Sequence, residues 1–379
     1  MTTIEAALSE RIEGMTPEAL ALCYQCGTCT AVCPMNVPLR RLLRDAQLGL
    51  KDASSGSTDL WHCATCRLCE LACPRGVRVT DLIHALRVVG FEDRKAPPKL
   101  EEALWGVYEE GNPWGGKKAE RAKWAEGLPR REPKRATKLV LYTGCAASFD
   151  PRLQRIARSV AEILDGVGAD FQILGEKENC CGDVVYQVGE EGFLEELVTG
   201  NIKQFKEAGE TVVTVSPHCY NMFESVYPKY GEMVPAVHYT QLLADMIDRG
   251  TLKPAGLSGE SRKVTYHDPC YLGRFHGIYE EPRKVLESIP GIELVEMREN
   301  KGNSTCCGGG GGLMWTEFDG ERPSRMRVSQ ASETGATVMA TSCPYCVLNF
   351  EDAVKTEGVR QLSVSDVAEI LQEMLKRHG

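Results

Sequence analysis

A chain of 379 residues with 17 cysteines and a formal net charge of −9 has room for two or three domains. It carries no dense basic face, so nucleic acid is not an expected partner. The opening residues, Met1-Thr-Thr-Ile-Glu-Ala-Ala-Leu8, lack a basic stretch followed by an apolar one, and no apolar run approaches the roughly 20 residues of a membrane span. A cytoplasmic chain is therefore expected, with cysteines used as thiolate ligands rather than disulfides.

In chain order, eight cysteines come first. Cys23-x2-Cys26-x2-Cys29-x3-Cys33-Pro34 is repeated as Cys63-x2-Cys66-x2-Cys69-x3-Cys73-Pro74. Each run has the bacterial-ferredoxin spacing, in which three cysteines ligate one [4Fe–4S] cluster and the fourth ligates the other. The expected sets are Cys23, Cys26, Cys29 and Cys73 for one cubane cluster, and Cys63, Cys66, Cys69 and Cys33 for the second. A zinc site or a disulfide scaffold explains a doubled run of this kind poorly. Residues 1–95 are assigned to a mainly helical, ferredoxin-like domain.

Residues 96–136 hold no cysteine. Pro97-Pro98, Gly111-Asn-Pro-Trp-Gly-Gly116 and Pro129 to Pro133 mark a connector, and Trp105, Trp114 and Trp124 suggest that it packs on a domain.

The remainder is an internal repeat, divided as 137–255 and 256–379. In the first copy, strands are expected at Lys138–Thr143, Phe171–Leu174 and Thr211–Val215, with helices near 151–165 and 189–208. In the second copy, strands are expected at Lys263–Tyr266, Ile292–Val295 and Thr337–Ala340. Corresponding cysteines lie 125, 126 and 124 residues apart. Short strands alternating with helices imply parallel βαβ units, so the whole reads as an α+β multidomain protein, with cysteines in loops after strands.

The second copy reads Cys270-x35-Cys306-Cys307-Gly308-x34-Cys343-x2-Cys346. Adjacent cysteines suit a site in which neighbouring thiolates bind different irons. Gly308, Gly309 and Gly310, within a run to Gly312, would let backbone approach a cofactor closely; no Lys-Ser/Thr follows, as a phosphate loop requires. The first copy reads Cys145-x34-Cys180-Cys181-Gly182-x36-Cys219, with Met222 at the fifth cysteine position.

These motifs resemble the heterodisulfide reductase family, namely its D-type polypeptide or a fusion of its C-type and B-type polypeptides. Cys23-Tyr-Gln-Cys-Gly-Thr-Cys29 and Leu60-Trp-His-Cys-Ala-Thr-Cys66 are similar to the C-type part. Tyr266-His-Asp-Pro-Cys-Tyr-Leu-Gly-Arg274 and Cys306-Cys-Gly-Gly-Gly-Gly-Gly312 are similar to the B-type part. The resemblance implies a noncubane [4Fe–4S] cluster on Cys270, Cys306, Cys307, Cys343 and Cys346, able to cleave or form a disulfide.

Thioether sulfur replaces a bridging thiolate poorly. The first copy is thus open to three outcomes: a further cubane cluster on Cys145, Cys180, Cys181 and Cys219; a modified noncubane cluster aided by His218 or another group; or no iron–sulfur cluster, with the site empty or binding zinc. His267 and His276 are candidates for proton donation, with hydrogen bonding to backbone or cluster sulfur the favoured reading, and Arg274 is a candidate for binding an anionic substrate or a partner acid, with a structural ion pair as the alternative. No flavin, nicotinamide or haem motif is present. The expected partners are therefore other redox subunits, either a flavoprotein or a membrane quinone or cytochrome protein that could hold the chain at the inner membrane face, with a thiol or disulfide as substrate. Two functions are weighed: an oxidoreductase component with its own sulfur chemistry, and a pure electron relay.

Overall fold

The computed structural model describes residues 6–52, 54–128, 136–254, 261–318 and 320–376. The Pro129–Pro133 punctuation and the division at 255/256 lie outside them.

The ferredoxin-like part is helical because its apolar residues recur at helical spacing. In Leu39–Gln47 the buried residues are Leu39, Leu42, Leu43 and Ala46, one stripe of a 3.6-residue period. Val79–Glu92 is buried nearly all round, which suits a helix at the centre of a domain. The two cysteine runs are built alike, 40 residues apart. Gln25, Gly27 and Asn36 have left-handed backbone, and so do Thr65, Arg67 and Gly76 at the matching positions. Such conformations are costly for residues other than glycine, above all a β-branched threonine. Of these, Gly27 and Arg67 open the short helices Thr28–Ala31 and Leu68–Leu71.

The connector is ordered where described. It forms a helix, Pro98–Glu110, closed by Gly111 in the left-handed conformation, as glycine commonly does past a helix end. Trp124 is buried in the core, Trp114 packs against it, and Trp105 stands exposed.

Each repeat carries a four-stranded, wholly parallel sheet. The first contains β1 (Thr137–Tyr142), β2 (Phe171–Ile173), β3 (Gly209–Thr214) and β4 (Ala236–His238), in the order β2-β1-β3-β4. The second contains β5 (Arg262–Tyr266), β6 (Ile292–Leu294), β7 (Val338–Thr341) and β8 (Ser363–Asp366), in the order β6-β5-β7-β8. The fourth strand of each sheet is not among the expected ones; β4 and β8 are short and have no apolar run to mark them. The helices Gln154–Gly166 and Gly192–Ala208 fall where periodicity places them.

Two buried clusters hold the molecule together. One joins the ferredoxin-like part to the first repeat through residues such as Leu86, Val185 and Phe223. The other joins the two repeats through residues such as Leu141, Tyr239, Tyr266 and Phe350.

Candidate iron–sulfur centres

Cys23, Cys26, Cys29 and Cys73 line one depression. Cys73 comes from the second run, and its sulfur accepts the Val77 N–H at 3.3 Å. Cys26 is exposed and its partners are half-buried. In contrast, Cys63, Cys66 and Cys69 are buried, and Cys33 lies in their electrostatic field. Burial drives the Cys63 thiol up to about 12, a cost that binding to a cation removes.

In the first repeat Cys145, Cys180, Cys181 and Cys219 line a small pocket, and their thiols are linked in that order by hydrogen bonds. Gly182 has φ +91° and donates its N–H to the Cys180 sulfur at 3.4 Å. In the second repeat Gly308, at φ +81°, donates to the Cys306 sulfur at 3.3 Å. The Cys-Cys-Gly turn therefore folds alike in both copies, because only glycine takes this backbone without strain. Cys306 contacts Cys270 and Cys307, Cys346 donates to Cys307 at 3.2 Å, and Cys343 contacts Cys346. All five are buried. Met222 is also buried, and packs close to Gly182.

The donor sets are sulfur throughout, which suits iron–sulfur clusters over hard cations. Among the described residues, no three or more His, Cys, Asp or Glu side chains are set to hold a single metal ion; what converges is sulfur upon sulfur.

A cysteine-rich domain profile named CCG matches residues 139–224 and 264–351, and a 4Fe–4S dicluster domain profile matches residues 22–77. The D-type polypeptide of dihydromethanophenazine:CoB–CoM heterodisulfide reductase from Methanosarcina mazei is 30% identical over 93% of this chain and 93% of its own length. This chain belongs to the D-type heterodisulfide reductase family.

Other relatives of this D-type family member are longer. A probable iron–sulfur-binding oxidoreductase, FadF, of Bacillus subtilis is 32% identical over 93% of this chain and 59% of its own length. An EtfAB:quinone oxidoreductase of Syntrophomonas wolfei is 33% identical over 85% of this chain and 47% of its own length. The chain thus spans about half to three-fifths of the length of these two. By kinship it is an iron–sulfur component of an oxidoreductase, and no helix among its described residues is long and apolar enough to cross a membrane.

The family member's centres are not isolated from one another. Cys66, from the ferredoxin-like part, lies within hydrogen-bonding reach of Cys306 in the second repeat. That contact and the Arg274 charge bring the Cys66 thiol down to about 6. Arg274 also donates to the carbonyls of Cys66, at 2.6 Å, and of Ser304, at 2.7 Å, clamping the two loops together. Its Nε and Nη1 are thus spent on backbone carbonyls.

His218 extends from the first repeat to Cys343 of the second. It stacks on Tyr271, with centroids 4.1 Å apart, and faces Asp183 at 3.2 Å. Against the cost of burial, Asp183 and Cys343 hold its pKa well above the ordinary value. Against burial likewise, Cys346 and His218 lower Cys343 to about 6.

His267 is placed differently. Its Nδ1 accepts from Arg327 Nε at 3.1 Å, and burial beside Arg327 and Arg274 drives its pKa well below normal. His276 pairs with the Asn221 side chain at 3.1 Å.

The glycine run also has a use that the sequence did not announce. A Cβ on Gly310 or Gly311 would overlap the carbonyl oxygen of Ala64 or Cys63, and one on Gly309 would press on Asn349. The close approach is made to protein, which lets the second repeat lie against the second cysteine run.

Sequence reasoning overlooked two buried arginines. Arg87 donates to the carbonyls of Leu60, Cys63, Gln187 and Gly311, joining all three parts of the chain. Arg121, from the connector, pairs with Glu178 at 3.0 Å and reaches the Cys145 sulfur at 3.3 Å. Each reads as an ordinary solvated arginine in the sequence. Only a fold that buries them gives them partners.

Proposed function

We propose that this chain passes electrons between redox partners through two cubane clusters and a noncubane cluster, and that the last is where a disulfide is reduced or formed. Cys23, Cys26, Cys29 and Cys73 would hold one cubane, and Cys33, Cys63, Cys66 and Cys69 the other. Cys270, Cys306, Cys307, Cys343 and Cys346 would hold the noncubane cluster. Cys145, Cys180, Cys181 and Cys219 would hold a further [4Fe–4S] cluster. When bound, these groups supply one-electron transfer and a site for substrate sulfur.

The observation that carries this reading is the contact between Cys66 and Cys306. It joins the ferredoxin-like part to the second repeat inside the protein, where water is excluded. Thr65 and Tyr271, 2.6 Å apart, and Gln187, donating to Tyr271 at 3.0 Å, brace the same junction. Cleaving a disulfide consumes two electrons and two protons. His218, ordered by Asp183 and touching Cys343, is placed to hold one of those protons; His267, locked by Arg327, is not.

A second reading, a relay without substrate chemistry, draws on Met222, which leaves the first repeat one thiolate short. Its partners would be a flavoprotein and a membrane quinone or cytochrome protein, in keeping with the name of the Syntrophomonas relative.

The test is anaerobic iron and sulfide analysis with EPR on the purified chain, repeated after Cys346→Ser. About 16 irons is expected for four clusters and about 12 for three. An EPR spectrum of the thiol-oxidised protein that Cys346→Ser leaves untouched would remove the noncubane assignment. Absence of turnover with any disulfide or thiol in the intact complex would leave the relay.

A further inference from the structure

We propose that the surface around Cys26 is the docking site for an acidic electron-carrier protein. The proposal rests on the electron-transfer reading above and names its point of entry.

Of the 17 cysteines Cys26 alone is exposed, while Cys23, Cys29, Cys33 and Cys73 are half-buried and every other cysteine is buried. A protein partner therefore comes within reach of sulfur at this one place. Tyr24 stands beside it, 60% exposed, and its hydroxyl hydrogen-bonds the Cys26 thiol. A rigid, half-polar aromatic of this kind is a common anchor in interfaces.

The rim is basic. Arg40 and Arg75 line the same depression and are exposed. Neighbouring arginines are matched within the protein: Arg41 with Asp45, Arg67 with Glu70, and Arg78 with Asp81. Among the described residues, Arg40 and Arg75 have no such partner. Two uncompensated positive charges at the exposed sulfur site of a chain with net charge −9 form a local patch of sign opposite to the whole. Such a patch orients an acidic partner and speeds encounter, and the effect fades as salt screens it. The occupant is thus a protein with carboxylates around its own redox centre. One electron leaves the partner's centre and one is taken up at the Cys23–Cys26–Cys29–Cys73 site, with no bond made or broken.

The experiment uses the anaerobically purified, cluster-loaded full chain and flavodoxin, an acidic flavoprotein, as the probe. Binding of oxidised flavodoxin is measured by interferometry at low and raised salt. The expected result is binding that weakens with salt and is weakened about ten-fold or more at low salt by Arg40→Glu with Arg75→Glu. Arg40→Lys with Arg75→Lys should retain it, and iron content should be equal in all three proteins. Binding that ignores salt, or survives charge reversal, overturns the proposal, as does tight binding to phosphatidylserine vesicles without binding to flavodoxin. Dithionite separates the two levels of inference. Failure to reduce the wild-type clusters strikes the electron-transfer reading, whereas normal reduction with salt-independent flavodoxin binding strikes the docking site alone.

Discussion

The two repeats share a sheet order, a Cys-Cys-Gly turn and a glycine N–H aimed at the first of the paired sulfurs, yet they equip these frames differently. In the second repeat, Cys343 and Cys346 open the helix Pro344–Thr356 and complete a set of five. In the first, the same place after β3 carries Cys219, and Met222 fills the fifth position as a core side chain. The arginine near each site also differs in origin. Arg274 belongs to the second repeat itself, while Arg121 is supplied to the first by the connector. The backbone cradle is thus the common property, and the ligand set is a side-chain choice made upon it.

The sharpest way to break this comparison is Met222→Cys. A buried position beside Gly182 would then present a fifth thiolate to the first site. If ligand count alone separates the repeats, anaerobic EPR should show the signal of the second site doubled, with iron content equal to or above that of the wild type. Should the spectrum remain that of the parent, the frames differ in more than one residue.

Next in size is the Arg121–Glu178 pair. Both side chains are almost wholly buried, and Glu178 accepts from the N–H groups of Thr143, at 3.1 Å, and Gly144, at 3.0 Å, so the pair fixes the turn that presents Cys145. Removing one partner of a buried pair leaves a charge without compensation. Arg121→Met is therefore expected to cost about 3–5 kcal/mol, read from urea unfolding of the full chain. Arg121→Met with Glu178→Met should recover a good part of that loss. The Cys270 loop has no such dependence on the connector: Asp268, two residues before it, pairs with Arg283 of the same repeat at 2.6 Å.

Much of the plan was legible in the sequence because it is written in cysteine spacing and in apolar runs. The doubled ferredoxin motif, the two copies and six of the eight strands depend on local pattern alone. What escaped depends on contacts between distant segments. Arg87 and Arg121 acquire their meaning from carbonyls and a carboxylate brought together by the fold. The run Gly308–Gly312 has its close approach explained by Cys63 and Ala64, more than 200 residues away. β4 and β8 close their sheets by pairing with β3 and β7, and nothing in their three or four residues announces a strand.

Those closing strands offer the finest test of the comparison, since they end on equivalent residues of opposite chemistry. β4 ends at His238, whose Nδ1 accepts from the Thr240 N–H at 3.4 Å, two residues on. β8 ends at Asp366, whose carboxyl oxygen accepts from the Ala368 N–H at 2.9 Å, also two residues on. Both therefore cap the helix that follows. Tyr239 donates to Asp366 at 2.6 Å and ties the two caps together.

Burial keeps both caps neutral, with opposite consequences. It lowers His238 from 6.5 to about 3, so the folded state binds fewer protons than the unfolded one, and stability is lost as pH falls from about 6.5 towards 3. It raises Asp366 from 3.8 to about 8, so the folded state binds more protons, and stability is lost as pH rises from about 4 towards 8. His238→Asn should flatten the acid side of a urea-unfolding profile, and Asp366→Asn should flatten the neutral-to-alkaline side, each retaining a side-chain acceptor for its helix. The effect of each is expected to be smaller than that of Arg121→Met, because the substituted amide preserves the cap. If both substitutions flattened the same limb, the two caps would not be the opposed pair that their burial implies.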